Sequence, residues 1–121
     1  MVIREFFDLD AWKKAHALTL KIYCITKQFP KDEIFGVTSQ LRRSSSSVAA
    51  NIAEGFGRFH FKDKQLFYFQ ARGSVVEVQN FLFLARDLEY IDIVTFQDIM
   101  KKAVDVKRLV NGLIRAVKKQ I

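Results

Sequence analysis

The amino-acid sequence predicts an all-α protein, an antiparallel up-and-down bundle of four helices in a single domain over residues 1–121. Long segments repeat apolar residues at spacings of three and four, which is the pattern of helices with one buried side. One proline and five glycines leave few interruptions in 121 residues. No hairpin signal or alternating strand pattern separates the segments, so short turns are expected to join neighbouring antiparallel helices.

The first helix is predicted to begin at a capping Asp8 or Asp10 and to run to about Phe29. Pro30 ends it, because proline disfavours helical geometry in the residue before it. The apolar side of this helix carries one row with Trp12, Ala15, Thr19, Ile22, Tyr23, Thr26 and Phe29, and a second row with Leu18, Ile22, Ile25 and Phe29 widens it.

The second helix is predicted to open at Lys31, with acids at its positive end, and to end at Gly55 and Gly57. Its apolar anchors lie on one side: Ile34, Val37, Leu41, Val48 and Ile52. Small residues make up the rest of the inward side: Ser44, Ser45, Ser46, Ser47, Ala49, Ala50 and Ala53. Their small size predicts close approach of the neighbouring helices.

The third helix is predicted over about residues 63–88, after a short connection at 59–64. One apolar row comprises Phe67, Ala71, Ser74, Val78, Phe81, Ala85 and Leu88. A second row comprises Leu66, Phe69, Gly73, Val76 and Phe83. Two rows exceed what one bundle can bury, and the chain holds twelve phenylalanines. We therefore expect self-association, with Phe69, Val76 and Phe83 in the subunit contact.

The fourth helix is predicted to begin at Thr95 as its N-cap and to continue to the C-terminus. Its apolar row follows the helical repeat throughout: Phe96, Ile99, Met100, Ala103, Val106, Val110, Leu113, Val117 and Ile121.

Charge is distributed unevenly in this topology. The net charge is +7, which favours polyanionic partners. The chain start, the connection between helices two and three and the C-terminus share one end of the bundle, with a net charge near +5, and the other end is near −3. We expect six residues at the basic end to bind RNA or DNA: Arg58, Lys62, Lys64, Arg115, Lys118 and Lys119.

The segment around residues 58–64 alternates basic and aromatic side chains. Basic groups pair with phosphates, and an aromatic ring such as Phe59 or Phe61 stacks on an unpaired base. The alternative is that these two rings only anchor the start of the third helix. Both readings remain open at this point.

Four polar residues of the second helix, Arg42, Arg43, Asn51 and Glu54, are interpreted as a structural network that fixes helix register or the subunit contact. A catalytic carboxylate is the less favoured reading of Glu54, since no second acid or base accompanies it.

The sequence contains no pattern typical of a catalytic, metal or cofactor site. His16 is expected to be a hydrogen-bonded packing residue, and Cys24 has no histidine or acid at helical spacing. The protein is therefore predicted to be no enzyme and to use no cofactor. The absence of a signal-peptide pattern and of a long apolar run, together with a single cysteine, predicts a cytoplasmic protein that does not enter a membrane.

Several motifs resemble one bacterial family. They follow one another in order: F-x-x-L-x-x-W-x-x-A-H-x-L at 6–18, I-Y-x-x-T-x-x-F-P at 22–30, F-G-V-x-x-Q-L-R-R-S at 35–44, S-V-A-A-N-I-A-E-G-F-G-R at 47–58 and A-R-G-S-V-x-E-V at 71–78. Together they are similar to proteins encoded in intervening sequences of 23S ribosomal RNA genes. Ala49 departs from the family, which often has proline there, and this predicts a straighter helix.

The resemblance implies an up-and-down four-helix bundle that forms a ring-like homopentamer. It also implies kinship with the basic accessory variability protein of diversity-generating retroelements, which works with a reverse transcriptase and nucleic acid. The family's signature positions correspond here to Arg42, Arg43, Asn51, Glu54, Gly55, Gly73 and Ser74. No catalytic site is established for the family.

The predicted function is that of a basic oligomer that binds RNA or DNA through phosphate contacts or scaffolds a nucleic-acid enzyme. A protein–protein interaction module with incidental positive charge is the alternative. A small ribonuclease is a distant third, because no arginine precedes either histidine at the spacing that such enzymes commonly use.

Overall fold

The fold is described from a computed structural model, which covers residues 2–121. Four long helices form it: α1 (Asp10–Thr26), α2 (Val37–Gly57), α3 (Phe61–Asp87) and α4 (Ile93–Lys118). Short 3₁₀ turns lie at Phe6–Asp8 and Lys31–Glu33, and residues 2–121 contain no strand. Each helix packs against the helices before and after it in sequence, and α4 closes on α1. The expected four-helix bundle is confirmed.

One apolar core runs through the middle of the bundle. Its fully buried large side chains come from all four helices: Leu18, Ile22, Leu41, Val48, Ile52, Val75, Val78, Leu82, Ile99, Val106 and Val110. Most of these positions follow the predicted rows. Val75 and Leu82 do not, because the predicted inner row of α3 contained the residues just before them, Ser74 and Phe81.

The small residues of α2 allow close contacts with both neighbouring helices. The Thr19 hydroxyl on α1 donates to the Ser45 carbonyl at 3.0 Å. On the other side, the Ser74 hydroxyl on α3 donates to the Ser47 hydroxyl at 3.0 Å. Ser46 and Ala50 are exposed, so their assignment to the inward side was wrong.

The start of α2 differs from the prediction. Lys31–Glu33 forms a separate 3₁₀ turn, and α2 begins only at Val37. Ile34 is consequently exposed rather than an anchor of the helix. Likewise α1 ends at Thr26, although Phe29 beyond its end is buried as expected.

The glycines at the end of α2 have a role other than the predicted one. No glycine among residues 2–121 has a positive φ, and the helix ends as Arg58 takes an extended conformation. Gly55 lies inside the helix, where an added Cβ would stand 2.7 Å from Cε1 of Tyr68. Gly55 therefore permits the close approach of α2 and α3.

The N-caps of α3 and α4 also differ from the prediction. His60 is the N-cap residue of α3, so Phe61–Lys64 belong to the helix and the connection is only residues 58–60. Asp92, not Thr95, caps α4, because its carboxylate accepts a hydrogen bond from the Thr95 N–H at 2.7 Å. This bond lowers the pKa of Asp92.

Candidate nucleic-acid interface

The topology brings the start of α3 and the end of the chain together at one end of the bundle. His60, Phe61, Lys62 and Asp63 line a shallow depression of about 420 Å³ with Gln120 and Ile121. This end, which we call the basic end, contains the residues predicted to bind nucleic acid. Gln120 and Ile121 were not predicted to line it, since only the fold shows that α4 stops beside His60.

The opposite end is held together by a contact between its two connections. The Tyr90 hydroxyl donates to the Glu33 carboxylate at 2.6 Å, and the Tyr90 and Phe29 rings lie 5.3 Å apart. The hydrogen bond to Glu33, followed by burial and the nearby acids, raises the pKa of Tyr90. The acidic segment 86–98 therefore lies at the end of the bundle away from Lys62 and Lys118.

Four of the six predicted basic residues are free to meet a ligand. Lys62, Arg115, Lys118 and Lys119 are exposed, and none of them pairs with an acid within the described chain. Arg115 and Lys118 also lie in the last turn of α4, where a positive charge interacts favourably with the helix dipole. That local role leaves their charged groups in solvent.

The other two basic residues already have partners in the chain. The Lys64 ammonium donates to the carbonyl oxygen of Phe56 at 2.6 Å and lies 5.3 Å from the Phe56 ring centre, at the C-terminal end of α2. Burial lowers the pKa of Lys64. Arg58 lies 3.7 Å from the Glu54 carboxylate and 4.6 Å from the centre of the Phe67 ring. Both are placed at the basic end, but less of their charge is available to a phosphate.

Aromatic rings accompany the free cations. Phe59 is 88% exposed, and its ring meets the His60 ring edge-on at 5.1 Å. Phe61 is partly exposed in the first turn of α3. An exposed ring beside uncompensated lysines is the arrangement with which proteins stack unpaired bases.

The structure does not join the four polar residues of α2 into one network. The Arg42 Nε donates to the Thr26 hydroxyl at 2.9 Å, whereas Arg43 is exposed. The Asn51 amide donates to the Ser47 carbonyl and hydroxyl at 2.9 Å and 3.0 Å, and so supports the α2–α3 contact. Glu54 is exposed on the surface. Arg42 and Asn51 thus act at two separate helix contacts.

The outer row of α3 is apolar and partly covered by arginine. Phe69, Val76 and Phe83 are exposed, as is Leu66. The Arg72 guanidinium lies 5.1 Å from the Phe69 ring centre, and that of Arg86 lies 4.9 Å from the Phe83 ring centre. Such cation–π contacts cover part of the apolar area within a single chain. The three residues remain the predicted subunit contact.

Two residues considered for catalysis lie on the surface. His16 is exposed and stacks on Trp12 with the rings 4.7 Å apart, so it packs on a neighbouring side chain as expected. Cys24 is exposed and free. The described residues contain no cluster of metal-ligating side chains, and no helix among them has the length and apolarity to span a membrane.

The fold and this distribution of charge define a small four-helix bundle with one basic end. The chain belongs to the 23S rRNA-intervening sequence protein family, whose family model matches residues 7–112. The resemblance drawn from the motifs is thereby confirmed.

A solved structure is similar over most of its length. It is a protein of unknown function from the S23 ribosomal protein family of Bacteroides thetaiotaomicron, with a TM-score of 0.77 and 21% identity over 86% of this chain and 97% of that chain. At this identity the similarity shows the fold alone. A comparison with curated proteins gave no match.

Proposed function

We propose that this protein is a non-enzymatic, cytoplasmic scaffold that binds RNA or DNA through phosphate contacts at its basic end. One observation carries the proposal. Lys62, Arg115, Lys118 and Lys119 are exposed at the same end of the bundle without an acidic partner in residues 2–121, while the acids of segment 86–98 lie at the other end.

Phosphate contacts supply the affinity in this proposal. Each lysine that neutralises a phosphate releases a condensed counterion, so affinity falls as salt rises. Phe59 adds stacking on an unpaired base, which favours single-stranded segments over continuous duplex. The small contribution of base-specific contacts makes binding largely independent of sequence.

Assembly would bring several basic ends together. A ring-like homopentamer, implied by the motifs, would place five basic ends side by side if its subunits run parallel. The exposed row with Phe69, Val76 and Phe83 supports such a contact, because apolar area of this kind is usually covered. The assembled basic end is then a platform for nucleic acid and for an enzyme that acts on it, such as a reverse transcriptase.

A gel-shift experiment with matched double variants tests the nucleic-acid contact. Lys62→Glu with Lys118→Glu reverses two charges at the basic end, one near a helix start and one at a helix end. Lys27→Glu with Lys31→Glu makes the same change at the other end, in equivalent positions. We expect the first pair to reduce the salt dependence of binding by about one unit of log–log slope per lost phosphate contact, and the second pair to leave it unchanged.

Each outcome of this experiment has a clear meaning. Equal loss in both pairs would show that the basic end contributes no more to binding than the other end, and binding that is insensitive to salt would refute the phosphate contacts. The same reactions, incubated and run on a denaturing gel, reveal any cleavage of the RNA, which would favour the ribonuclease reading.

The exposed row on α3 also favours a second candidate, a protein–protein interaction module with incidental charge. In that case a partner protein is lost from pull-downs by changes at Phe69 or Phe83, while the charge reversals at Lys62 and Lys118 leave the partner bound.

A further inference from the structure

A pocket at the end opposite the basic end has the composition of an anion site. It has a volume of about 330 Å³ and lies where the α1–α2 connection passes the first turns of α2. Three cations line it, Lys27, Lys31 and Arg42, and no acid does. Its apolar lining comes from Phe29, Pro30 and Ile34. Neither the family nor the proposed function accounts for this pocket.

Arg42 is held in place without a carboxylate partner. Its Nε donates to the Thr26 hydroxyl at 2.9 Å, and its guanidinium lies 4.8 Å from the Tyr23 ring centre. Thr26 in turn donates to the Ile22 carbonyl at 2.7 Å. No acid within residues 2–121 forms an ion pair with Arg42. The terminal amino groups therefore remain available to a bound anion in a pre-organised position.

A hydroxyl group also lines the pocket. Thr38 lines the pocket one helical turn before Arg42 and is only 2% exposed. Its hydroxyl makes no hydrogen bond to the described chain and is not sealed from solvent. Because this hydroxyl reaches the pocket, it can donate a hydrogen bond to an anion bound beside Arg42.

The surroundings favour negative charge in the ligand. Thr38 lies in the first turn of α2, which contains no acid and has no side-chain cap. Glu33, the partly buried acid of the adjacent 3₁₀ turn, accepts the Tyr90 hydroxyl with one carboxylate oxygen, and its other oxygen lies against Gly36, the N-cap residue of α2. Three cations in a lining without an acid suit a dianion better than a monoanion.

We infer that this pocket binds a small phosphomonoester. Arg42 and Thr38 hold the phosphate, Lys27 and Lys31 add positive charge, and the organic group packs against Phe29, Pro30 and Ile34. A volume of this size suits a compact organic molecule. This site is separate from the basic end, so it stands or falls independently of nucleic-acid binding.

Calorimetric titration with phenyl phosphate tests the assignment on the full chain. We expect phenyl phosphate to bind more tightly than inorganic phosphate or benzoate, and phenol not to bind. Arg42→Gln should weaken binding at least about tenfold, because a charge-assisted hydrogen bond is lost. Arg43→Gln is the matched control: it removes the same charge from the exposed neighbouring position and should bind as the parent does.

Further variants keep the test decisive if Arg42→Gln disturbs folding. Thr38→Val preserves the shape of the side chain and should weaken binding of phenyl phosphate about threefold. Lys31→Gln removes a positive charge at an exposed position outside the core and should also weaken binding. Circular dichroism establishes that each variant is folded. Equal weakening by Arg42→Gln and Arg43→Gln would overturn the proposal, as would benzoate binding as tightly as phenyl phosphate or no binding at millimolar concentration.

Discussion

The two sides of α3 have similar composition but different surroundings. The inner side packs into the core through Tyr68, Val75 and Leu82, all of which are buried. The outer side displays Leu66 and Phe69, which are 55% and 40% exposed. Both sides repeat apolar residues at helical spacing, so hydrophobicity alone does not say which one faces the core.

The two sides of α3 differ in the size of the residues that they face rather than in their own hydrophobicity. The inner side faces the small residues of α2, where Gly55 leaves room for the Tyr68 ring and Ser47 meets Ser74. The outer side is less covered by its own chain: Phe83 meets Phe96 of α4 at 5.2 Å, and arginines lie over the Phe69 and Phe83 rings. The contrast teaches that a second apolar row on a bundle helix indicates a surface available to another molecule.

The largest expected difference is between Leu82 and Leu66. Leu82→Ala should lower the free energy of unfolding by about 2–5 kcal/mol, since it leaves a cavity in the core. Leu66→Ala should change it by less than about 0.5 kcal/mol in dilute protein. Urea unfolding at several protein concentrations measures both. Equal losses in dilute protein would contradict the assignment of the two sides.

A smaller and opposite pair of effects is expected at two glycines. Gly55→Ala should destabilise the protein by about 1–3 kcal/mol, because its Cβ would crowd Tyr68 and Phe67. Gly73→Ala meets no atom within 4 Å and should stabilise the single chain by about 0.5–1 kcal/mol through helix propensity.

Thermal and urea unfolding of the two alanine variants give the sign of each change. Loss of stability in Gly73→Ala that grows with protein concentration would show that Gly73 itself lies at a close contact between subunits. Stabilisation by Gly55→Ala would mean that α2 and α3 separate more easily than their packing indicates.

The last comparison concerns assembly rather than the stability of the single chain. Phe69→Glu should weaken self-association at least about tenfold, which is about 1.4 kcal/mol, by placing a charge in the predicted contact. Phe35→Glu is the control, because Phe35 is also an exposed phenylalanine but lies in the α1–α2 connection. Sedimentation velocity at micromolar concentration reports both. A parent protein that sediments as a single chain would remove the assembly from the proposed function.

The fold and the difference in charge between the two ends of the bundle could be predicted from the sequence, but the local contacts could not. The rows of α1, α2 and α4 identify the core because each has one apolar side. Predictions failed at helix ends, where Asp92 rather than Thr95 is the cap, because both residue types are good caps and only backbone geometry chooses between them. Lys64 illustrates the limit for the site, since its contact with Phe56 depends on how two helices meet.

The brevity of the α2–α3 connection has a consequence for how the chain becomes ordered. Only residues 58–60 separate these helices, and their mutual interface is the most extensive in the bundle. Closing so short a loop costs little entropy, and local contacts are the ones that form fastest. We therefore expect the central hairpin of α2 and α3 to form first in folding, and the first and last helices to dock onto it afterwards.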